Sequence, residues 1–238
     1  RVFGVYEDLL GNEWILSDNG LGMLTAGQTT PTSYFVDAAE REKKGGQAFY
    51  SCLEYNSEIY FGSDNGRVWC YQKENGQFQL QNLPASSRIV SINSVEGNEL
   101  IFTTAKDGFF SYQPKTKAIE HFPASRFPNA SIHSVYVDKA SEVWFEQHIP
   151  GTVVHFNPRT RILKQEKVPV EPTSTDRSRP AFHIHEDING VLWVHPYGGG
   201  FSYFDRKSNS LHPFYNSLSG SDWRFSNKIH AAFSDRQG

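Results

Sequence analysis

The sequence predicts an all-β protein of the β-propeller class, and three observations lead to this prediction. A pattern of alternating strand, turn and apolar anchor recurs along the chain, with the anchors 41 to 49 residues apart. The anchors are Trp14, Tyr60, Ile101, Trp144 and Trp193. Tight turns recur at a fixed point of each repeat, and residues 228–238 restart the pattern of residues 1–11. A period of about 45 residues built only of short strands is typical of propeller blades.

We divide the chain into five four-stranded antiparallel blades and the first strand of another. The expected boundaries are approximately 1–47, 48–87, 88–130, 131–180 and 181–227, with 228–238 as the further strand. We expect a fragment of a larger propeller, and the family resemblance given below implies one of seven blades. Five blades at ordinary spacing would form an open arc, its apolar ends covered by another copy of the chain or by segments outside this sequence.

Within a blade the pattern predicts strands A to D, for example 181–186, 191–195, 201–204 and 211–215 in the last complete blade. The A-to-B turns contain residues that tolerate positive φ or cap a turn with their side chains. These are Asp8 with Gly11, Asn56 with Ser57, Gly97 with Asn98, and Asn189 with Gly190.

The longer connections all run from strand D of one blade to strand A of the next. They span 38–47, 123–130, 169–180 and 216–227. In a propeller these connections share a face with the B-to-C turns, so variable length gathers on one side. That side is the expected ligand-binding face.

Composition excludes several classes of function. With 23 basic and 26 acidic residues the net charge is −3, and no long basic run indicates nucleic-acid binding. No apolar run approaches the roughly 18 residues that cross a bilayer. Cys52 and Cys70 fall on the first and third strands of one blade, a separation that disfavours a disulfide, so we expect two free thiols.

Several side chains that suggest chemistry are better explained by structure. The indoles of Trp14, Trp144 and Trp193 occupy one phase of the repeat, where they are expected to pack between blades. The carboxylate pairs Glu7–Asp8 and Glu186–Asp187 recur at one turn and are interpreted as turn caps rather than catalytic acids. No catalytic residues and no cofactor are therefore expected.

Three histidines come close together in the last complete blade, which raises the question of a metal ion. His183 and His185 alternate on strand A, and His195 ends strand B. Zinc needs three or four converging ligands, and the sequence does not fix a third one here. We therefore predict no metal site.

The ligand-site candidates lie where the repeat is interrupted. Asp222, Trp223 and Arg224 stand in a Ser- and Gly-rich connection, with the aromatic ring off the packing phase. A ring face for C–H stacking beside polar groups suits a carbohydrate, although Trp223 could instead fill a gap between blades. The same face is predicted to carry further candidates that would suit an acidic or sulfated glycan. These are His148, Arg177, Arg179 and Tyr197.

Two segments carry a resemblance to a known family. Residues 5–15, VYEDLLGNEWI, and residues 184–194, IHEDINGVLWV, resemble the two-component regulator propeller repeat, and GGGFSYFD at residues 198–205 is similar to its Gly-Gly-Leu segment. The resemblance implies the periplasmic sensor region of a hybrid two-component regulator. Its ligand would be an oligosaccharide, and a histidine kinase, a transmembrane helix and further propeller domains would lie elsewhere in the parent chain.

Two other functions remain open at this point. One is an enzyme on the same scaffold, a propeller glycosidase or lyase, because a fold alone does not decide function. The other is a scaffold for protein partners. Binding of a glycan without turnover would favour the sensor, whereas release of reducing ends would favour the enzyme.

Overall fold

The structure is a computed structural model, and it describes residues 1–36, 48–127, 132–147, 152–168, 182–196 and 201–214. The chain divides into two compact units, 1–124 and 125–238. Within the described ranges no helix is long and apolar enough to span a membrane.

Unit 1 contains three four-stranded antiparallel sheets, each formed by consecutive strands. Blade 1 comprises β1 (Val2–Glu7), β2 (Glu13–Ser17), β3 (Gly20–Leu24) and β4 (Thr32–Tyr34). Blade 2 comprises β5 (Phe49–Tyr55), β6 (Glu58–Ser63), β7 (Val68–Gln72) and β8 (Gln77–Gln81). Blade 3 comprises β9 (Ile89–Val95), β10 (Glu99–Thr104), β11 (Phe109–Gln113) and β12 (Ala118–Phe122), and one turn of 3₁₀ helix follows at Ala124–Arg126.

Unit 2 contains two sheets of the same kind. Blade 4 comprises β13 (Ile132–Val137), β14 (Val143–Gln147), β15 (Thr152–Asn157) and β16 (Ile162–Lys167). Blade 5 comprises β17 (Phe182–Glu186), β18 (Leu192–Pro196), β19 (Ser202–Asp205) and β20 (Ser210–Pro213). Five sheets with the strand order A–B–C–D confirm the predicted all-β propeller architecture.

The turns between strands A and B use the residues that the sequence singled out. Gly11, Asn56, Asn98 and Gly190 all adopt positive φ, between 57° and 81°. In blade 4 the equivalent of Gly11 is Ser141, which adopts the same conformation with φ 62°. The left-handed conformation is least costly for Gly and Asn, which explains their recurrence at this point of the repeat.

The B-to-C turns of unit 1 require glycine for a second reason. Gly20, Gly66 and Gly108 have positive φ, and a Cβ atom at these positions would lie 2.1 to 2.5 Å from backbone atoms of the following segment. Two of these turns have the same sequence, Ser-Asp-Asn-Gly. The glycines therefore allow strand D and the chain after it to pass directly over the turn.

The apolar core of each unit lies between neighbouring blades. Trp14 is fully buried against blade 2, where it meets Phe61 at 4.9 Å between ring centroids. Tyr60 occupies the same phase one blade later and faces Phe102 of blade 3 at 6.1 Å. In unit 2, Trp144 packs on Phe204 at 4.8 Å. These contacts confirm the prediction that the anchors pack between blades.

Trp193 is the exception among the tryptophan anchors. Trp14 and Trp144 are fully buried, whereas Trp193 is only half-buried. Its ring contacts Phe201 and Phe214 of its own blade, at 5.9 and 5.2 Å. Its phase in the repeat is the predicted one. The residues after blade 5 lie outside the described ranges, so the enclosure of this indole between two blades stays a prediction.

The cysteine prediction is confirmed. Cys52 lies on β5 and Cys70 on β7, with β6 between them, and both are free thiols. Burial raises the pKa of both thiols to about 12, so neither is a reactive thiolate at neutral pH.

Candidate functional site

The residues that the sequence analysis assigned to the ligand site all fall outside the described ranges. They are His148, Arg177, Arg179, Tyr197, Asp222, Trp223 and Arg224. Their assignment therefore stays a prediction. Described residues at the loop end of blades 1 to 3 form a second candidate site.

The first strands of blades 1, 2 and 3 lie side by side and form a cleft. Tyr6 on β1 donates a hydrogen bond from its hydroxyl to Glu54 on β5 at 3.1 Å, and the Ser51 hydroxyl donates to the Ile89 carbonyl on β9 at 3.2 Å. The cleft has a volume of about 270 Å³. Its described lining comes from these three strands and from Leu16, and it includes the hydroxyl-bearing residues Ser51 and Ser91.

Each of these first strands carries an irregularity at the same place. The register of β1 against β2 shifts between Val2 and Gly4, and that of β5 against β6 shifts between Phe49 and Ser51. Blade 3 has the same shift at residue 90, and blade 4 has it at residue 133. A bulge leaves one residue out of the alternating pairing and redirects its side chain. In blades 1 and 2 that residue is aromatic: Phe3 and Tyr50.

Phe3 and Tyr50 stack on each other at the loop end of the cleft. Their ring centroids are 4.3 Å apart and their planes are inclined by 30°. The Arg88 guanidinium lies over the Tyr50 ring at 4.8 Å, and the Arg1 guanidinium lies over Phe3 at 5.6 Å. We call these four side chains the Arg–aromatic stack. Both rings are half-buried and both arginines are exposed, so the stack is open to a ligand.

The chemistry of this arrangement suits a polyhydroxylated ligand. The edges of the aromatic rings offer apolar surface, the guanidinium groups offer N–H donors, and the Ser hydroxyls of the cleft can donate or accept. Sequence reasoning missed these residues because a bulge cannot be seen in the alternation of apolar and polar residues. The available signal was an aromatic residue one or two positions into strand A of two successive blades.

The histidines of blade 5 form a group at the corresponding end of unit 2. The ring centroids of His183 and His195 are 5.2 Å apart, and those of His185 and His195 are 6.0 Å apart. His195 is buried, and burial, together with the neighbouring His183 and His185, lowers its pKa to about 4. Among the described residues, no group of three His, Cys, Asp or Glu side chains is placed to hold a metal ion.

The acidic residues of the A-to-B turns are structural, as predicted for Asp8 and Asp187. One carboxylate oxygen of Asp8 accepts hydrogen bonds from the backbone N–H groups of Leu10 and Asn12, at 2.9 and 3.0 Å. The other accepts from the Trp14 indole at 3.0 Å. The same Asp-to-indole bond occurs in blades 4 and 5, at 2.8 and 3.0 Å. The turn is thereby tied to the anchor six residues later, a link that the sequence analysis missed.

Burial favours the neutral form of Asp8, but hydrogen bonds from Trp14 and Asn12 outweigh it and hold the pKa of this carboxyl below its usual value. The pKa of Asp187 is lowered in the same way, with Trp193 as the first of the bonds that oppose desolvation. Carboxylates kept ionised by fixed donors are poor general acids, which agrees with a structural role.

A glutamate from the next blade reinforces these turns. Glu54 accepts hydrogen bonds from the Leu9 backbone N–H at 2.9 Å and from the Tyr6 hydroxyl, and it pairs with Lys73 of its own blade. In unit 2, Glu186 accepts from the Lys139 backbone N–H at 2.7 Å and lies 3.7 Å from Arg206. We call this arrangement of Glu, turn N–H and basic residue the interblade clasp.

The interface between blades 2 and 3 has a cleft instead, at the end opposite the Arg–aromatic stack. Its volume is about 440 Å³. The described lining includes Asn56, Glu58, Lys73, Lys115 and Lys117. Its charges are mixed, and Glu58 accepts a hydrogen bond from the Tyr60 hydroxyl.

Comparison with known proteins gives two results at different levels. No protein-family model matches the sequence, and no curated protein matches it. Many solved structures share the fold. The extracellular domain assigned to a one-component system from B. thetaiotaomicron has a TM-score of 0.64 at 16% identity, and the match covers 89% of this chain and 27% of that chain. The extracellular domain assigned to a hybrid two-component system from the same organism also scores 0.64, at 15% identity, covering 89% and 29%.

Virginiamycin B lyase from Staphylococcus aureus is a third similar structure, with a TM-score of 0.66 at 17% identity; the match covers 98% of this chain and 74% of that chain. The chain spans little more than a quarter of the length of the two extracellular domains. At these identities the likeness concerns the fold. This likeness confirms the β-propeller fold. Residues 5–15 and 184–194 indicated a resemblance to propeller sensors, and the shared fold confirms it at that level.

Proposed function

We propose that the chain belongs to the extracytoplasmic sensor region of a hybrid two-component regulator. In this proposal it binds an oligosaccharide in the periplasm and signals to a histidine kinase in another part of the parent protein. The Arg–aromatic stack above the strand-A cleft carries the proposal, because it presents ring edges and hydrogen-bond donors at the loop face. The fold that the chain shares with extracellular domains of such systems supports it.

The geometry suggests how binding would become a signal. The cleft is lined by the first strands of three blades, so a ligand lying in it touches all three at once. A ligand that binds one arrangement of these strands more tightly shifts the population toward that arrangement. The change would then pass to whatever domain or second copy of the chain contacts the blades.

A glycan array followed by calorimetry tests the proposal. Tyr50→Ala should weaken binding of the selected glycan by about tenfold or more, because it removes one ring and the support of Arg88. Tyr55→Ala is the matched control, since Tyr55 ends the same strand at the opposite face, where its hydroxyl contacts Asn98. Failure of any glycan to bind, or equal losses in the two variants, would rule out this site.

The loop residues predicted from the sequence enter the same experiment. Trp223→Ala should weaken glycan binding by about 1 to 2 kcal/mol if its ring stacks on the sugar. A loss of melting temperature with affinity falling only in proportion to unfolding would instead show that Trp223 packs between blades.

A lyase is the second candidate, favoured by one likeness and one group of residues. A catalytically inactive histidine-to-alanine variant of virginiamycin B lyase, solved with quinupristin, matches at a TM-score of 0.65 and 18% identity, covering 92% of this chain and 71% of that chain. This chain places His183, His185 and His195 together in blade 5. Incubation with quinupristin, followed by mass spectrometry, should show no consumption. Consumption that is lost in His183→Ala would replace the sensor with an enzyme.

A further inference from the structure

We infer that the Arg–aromatic stack selects acidic oligosaccharides, meaning those that carry carboxylate or sulfate groups. The inference rests on the proposed function and names the class of ligand for the same site. It follows from how Arg1 and Arg88 are held and from the charges around them.

Each guanidinium group packs one planar face on an aromatic ring, and the edge of the guanidinium group stays open. A guanidinium carries its five N–H donors in its plane, so a group stacked on an aromatic ring still directs these donors outward. Among the residues that the structure describes, no carboxylate forms an ion pair with the guanidinium of Arg1 or Arg88. Planar, outward-facing donors of this kind match a carboxylate or sulfate in two-point contact.

The Asp107 carboxylate fixes the segment before Arg88 through several hydrogen bonds. Asp107 accepts hydrogen bonds from the backbone N–H groups of Ser86 and Ser87, at 2.9 and 2.8 Å, and from both of their hydroxyls. Burial favours neutral Asp107, but these bonds outweigh it and keep its pKa below the usual value. Asp107 thus positions the chain leading to Arg88, and its carboxylate is committed to these donors.

The cleft below the stack does not oppose an anion. The described residues that line it are apolar or neutral, with Tyr6, Ser51, Cys52 and Ser91 as the polar members. Burial raises the pKa of Cys52 to about 12, so this thiol is uncharged at neutral pH. At the stack the Asp18 carboxylate accepts a hydrogen bond from the Arg1 amino group at 2.7 Å, and the guanidinium groups of Arg1 and Arg88 are the positive charges offered to a ligand.

The test compares ligands that differ in charge alone. The probes are tetragalacturonate and its methyl ester, placed on an array with other acidic and neutral oligosaccharides. For the wild-type chain we expect acidic members to bind about tenfold tighter than their neutral counterparts, with a difference that shrinks as salt is raised. Calorimetry of the best acidic and neutral ligands then measures the variants.

Arg88→Gln should weaken acidic ligands about tenfold and leave neutral ligands within about twofold, because it removes a charge-assisted bond. Arg88→Lys should restore only part of the loss, since it keeps the charge without the planar donors. Lys115→Gln removes an equal charge at the opposite end of the blades and should change the affinity for neither acidic nor neutral ligands. Thermal unfolding of each variant shows that the fold is kept.

The outcomes separate this inference from the proposed function. If the bound glycans are neutral, or acidic and neutral forms bind equally and Arg88→Gln affects both alike, the acidic specificity is overturned while the oligosaccharide sensor stands. If no glycan binds at all, the proposed function fails and this inference fails with it.

Discussion

Blades 1 and 2 are joined by different contacts from those that join blades 2 and 3. In the first, Asp8 ties its turn to Trp14, and Glu54 of the next blade clasps that turn. In the second, the five-residue turn is replaced by a two-residue hairpin at Asn56 and Ser57, and the cleft of about 440 Å³ opens beside it. The anchor there, Tyr60, satisfies its hydroxyl with Glu58 of its own strand.

The difference shows what the longer turn contributes. An indole N–H buried between blades needs an acceptor, and Asp8 supplies it while also capping the turn. The capped turn then presents the Leu9 N–H to the following blade, where Glu54 receives it. In blade 2 the anchor is a tyrosine, which does not need an aspartate in the turn as its acceptor. The turn between strands A and B is shorter there, and the interblade clasp is absent from this interface.

The interblade clasp recurs between blades 4 and 5, where it includes more charged groups. Arg206 lies 3.0 Å from Asp138, 3.7 Å from Glu142 and 3.7 Å from Glu186. The Asp138 side chain is fully buried, so this guanidinium compensates a carboxylate that water does not reach. The clasp is therefore a property of the Asp-turn repeat rather than of one pair of blades.

The largest expected effect comes from removing an anchor of a clasped interface. Trp14→Ala should lower the free energy of unfolding by about 3 to 5 kcal/mol, because a fully buried indole leaves a cavity. Trp14→Phe keeps most of the ring and leaves Asp8 without the indole donor, at an expected cost of about 1 to 3 kcal/mol. Urea unfolding measures both. Equal costs would mean that the hydrogen bond, and not packing, dominates the anchor.

The clasp itself is tested by a matched pair of glutamate variants. Glu54→Gln should cost about 1 to 3 kcal/mol, since Glu54 and Lys73 are both largely buried and Lys73 would lose its charge partner. Glu58→Gln, in the unclasped interface, keeps a side chain that can still accept from the Tyr60 hydroxyl and should cost less than about 1 kcal/mol. If the two variants are equally stable, the clasp does not distinguish the interfaces.

The smallest expected effect depends on pH. Asp8→Asn should cost about 1 to 2 kcal/mol at neutral pH. The folded-state pKa of Asp8 lies below that of an ordinary aspartate, so ionised Asp8 stabilises the fold above about pH 4, and this stability is lost as the pH falls through the folded pKa. Melting curves of wild type and variant should therefore converge in acid. A gap that stays constant down to about pH 2 would contradict the lowered pKa.

Much of the fold was predictable because packing repeats. The antiparallel strand order, the packing of Trp14, Tyr60 and Trp144 between blades and the positive-φ turn residues such as Asn56 follow from one alternating pattern, and the structure confirms them. The link from Asp8 to Trp14 could have been read from its six-residue spacing, which recurs in blades 4 and 5. The enclosure of Trp193 could not be predicted from its own repeat, since it depends on what lies against the outer side of blade 5.

The site was less predictable than the fold, for a physical reason. Sequence reasoning sought ligand residues in the long connections, and the residues that it chose, such as Trp223, lie outside the described ranges. The Arg–aromatic stack instead draws one residue each from four points of three blades, at Arg1, Phe3, Tyr50 and Arg88. Such a group is assembled by the approach of three strands, and no local pattern in the chain encodes that approach.

The bulge on the first strand of each of blades 1 to 4 has a consequence for how such proteins diversify. A residue in regular pairing is constrained by the neighbouring strand and by the adjacent blade, so exchanging it disturbs the core. The bulged residue has no pairing partner, and it is Phe in blade 1, Tyr in blade 2 and Val in blade 3. In blades 1 to 3 the scaffold thus holds one position outside the regular pairing at the same end of the blade, where a side chain can be exchanged without breaking a ladder pair.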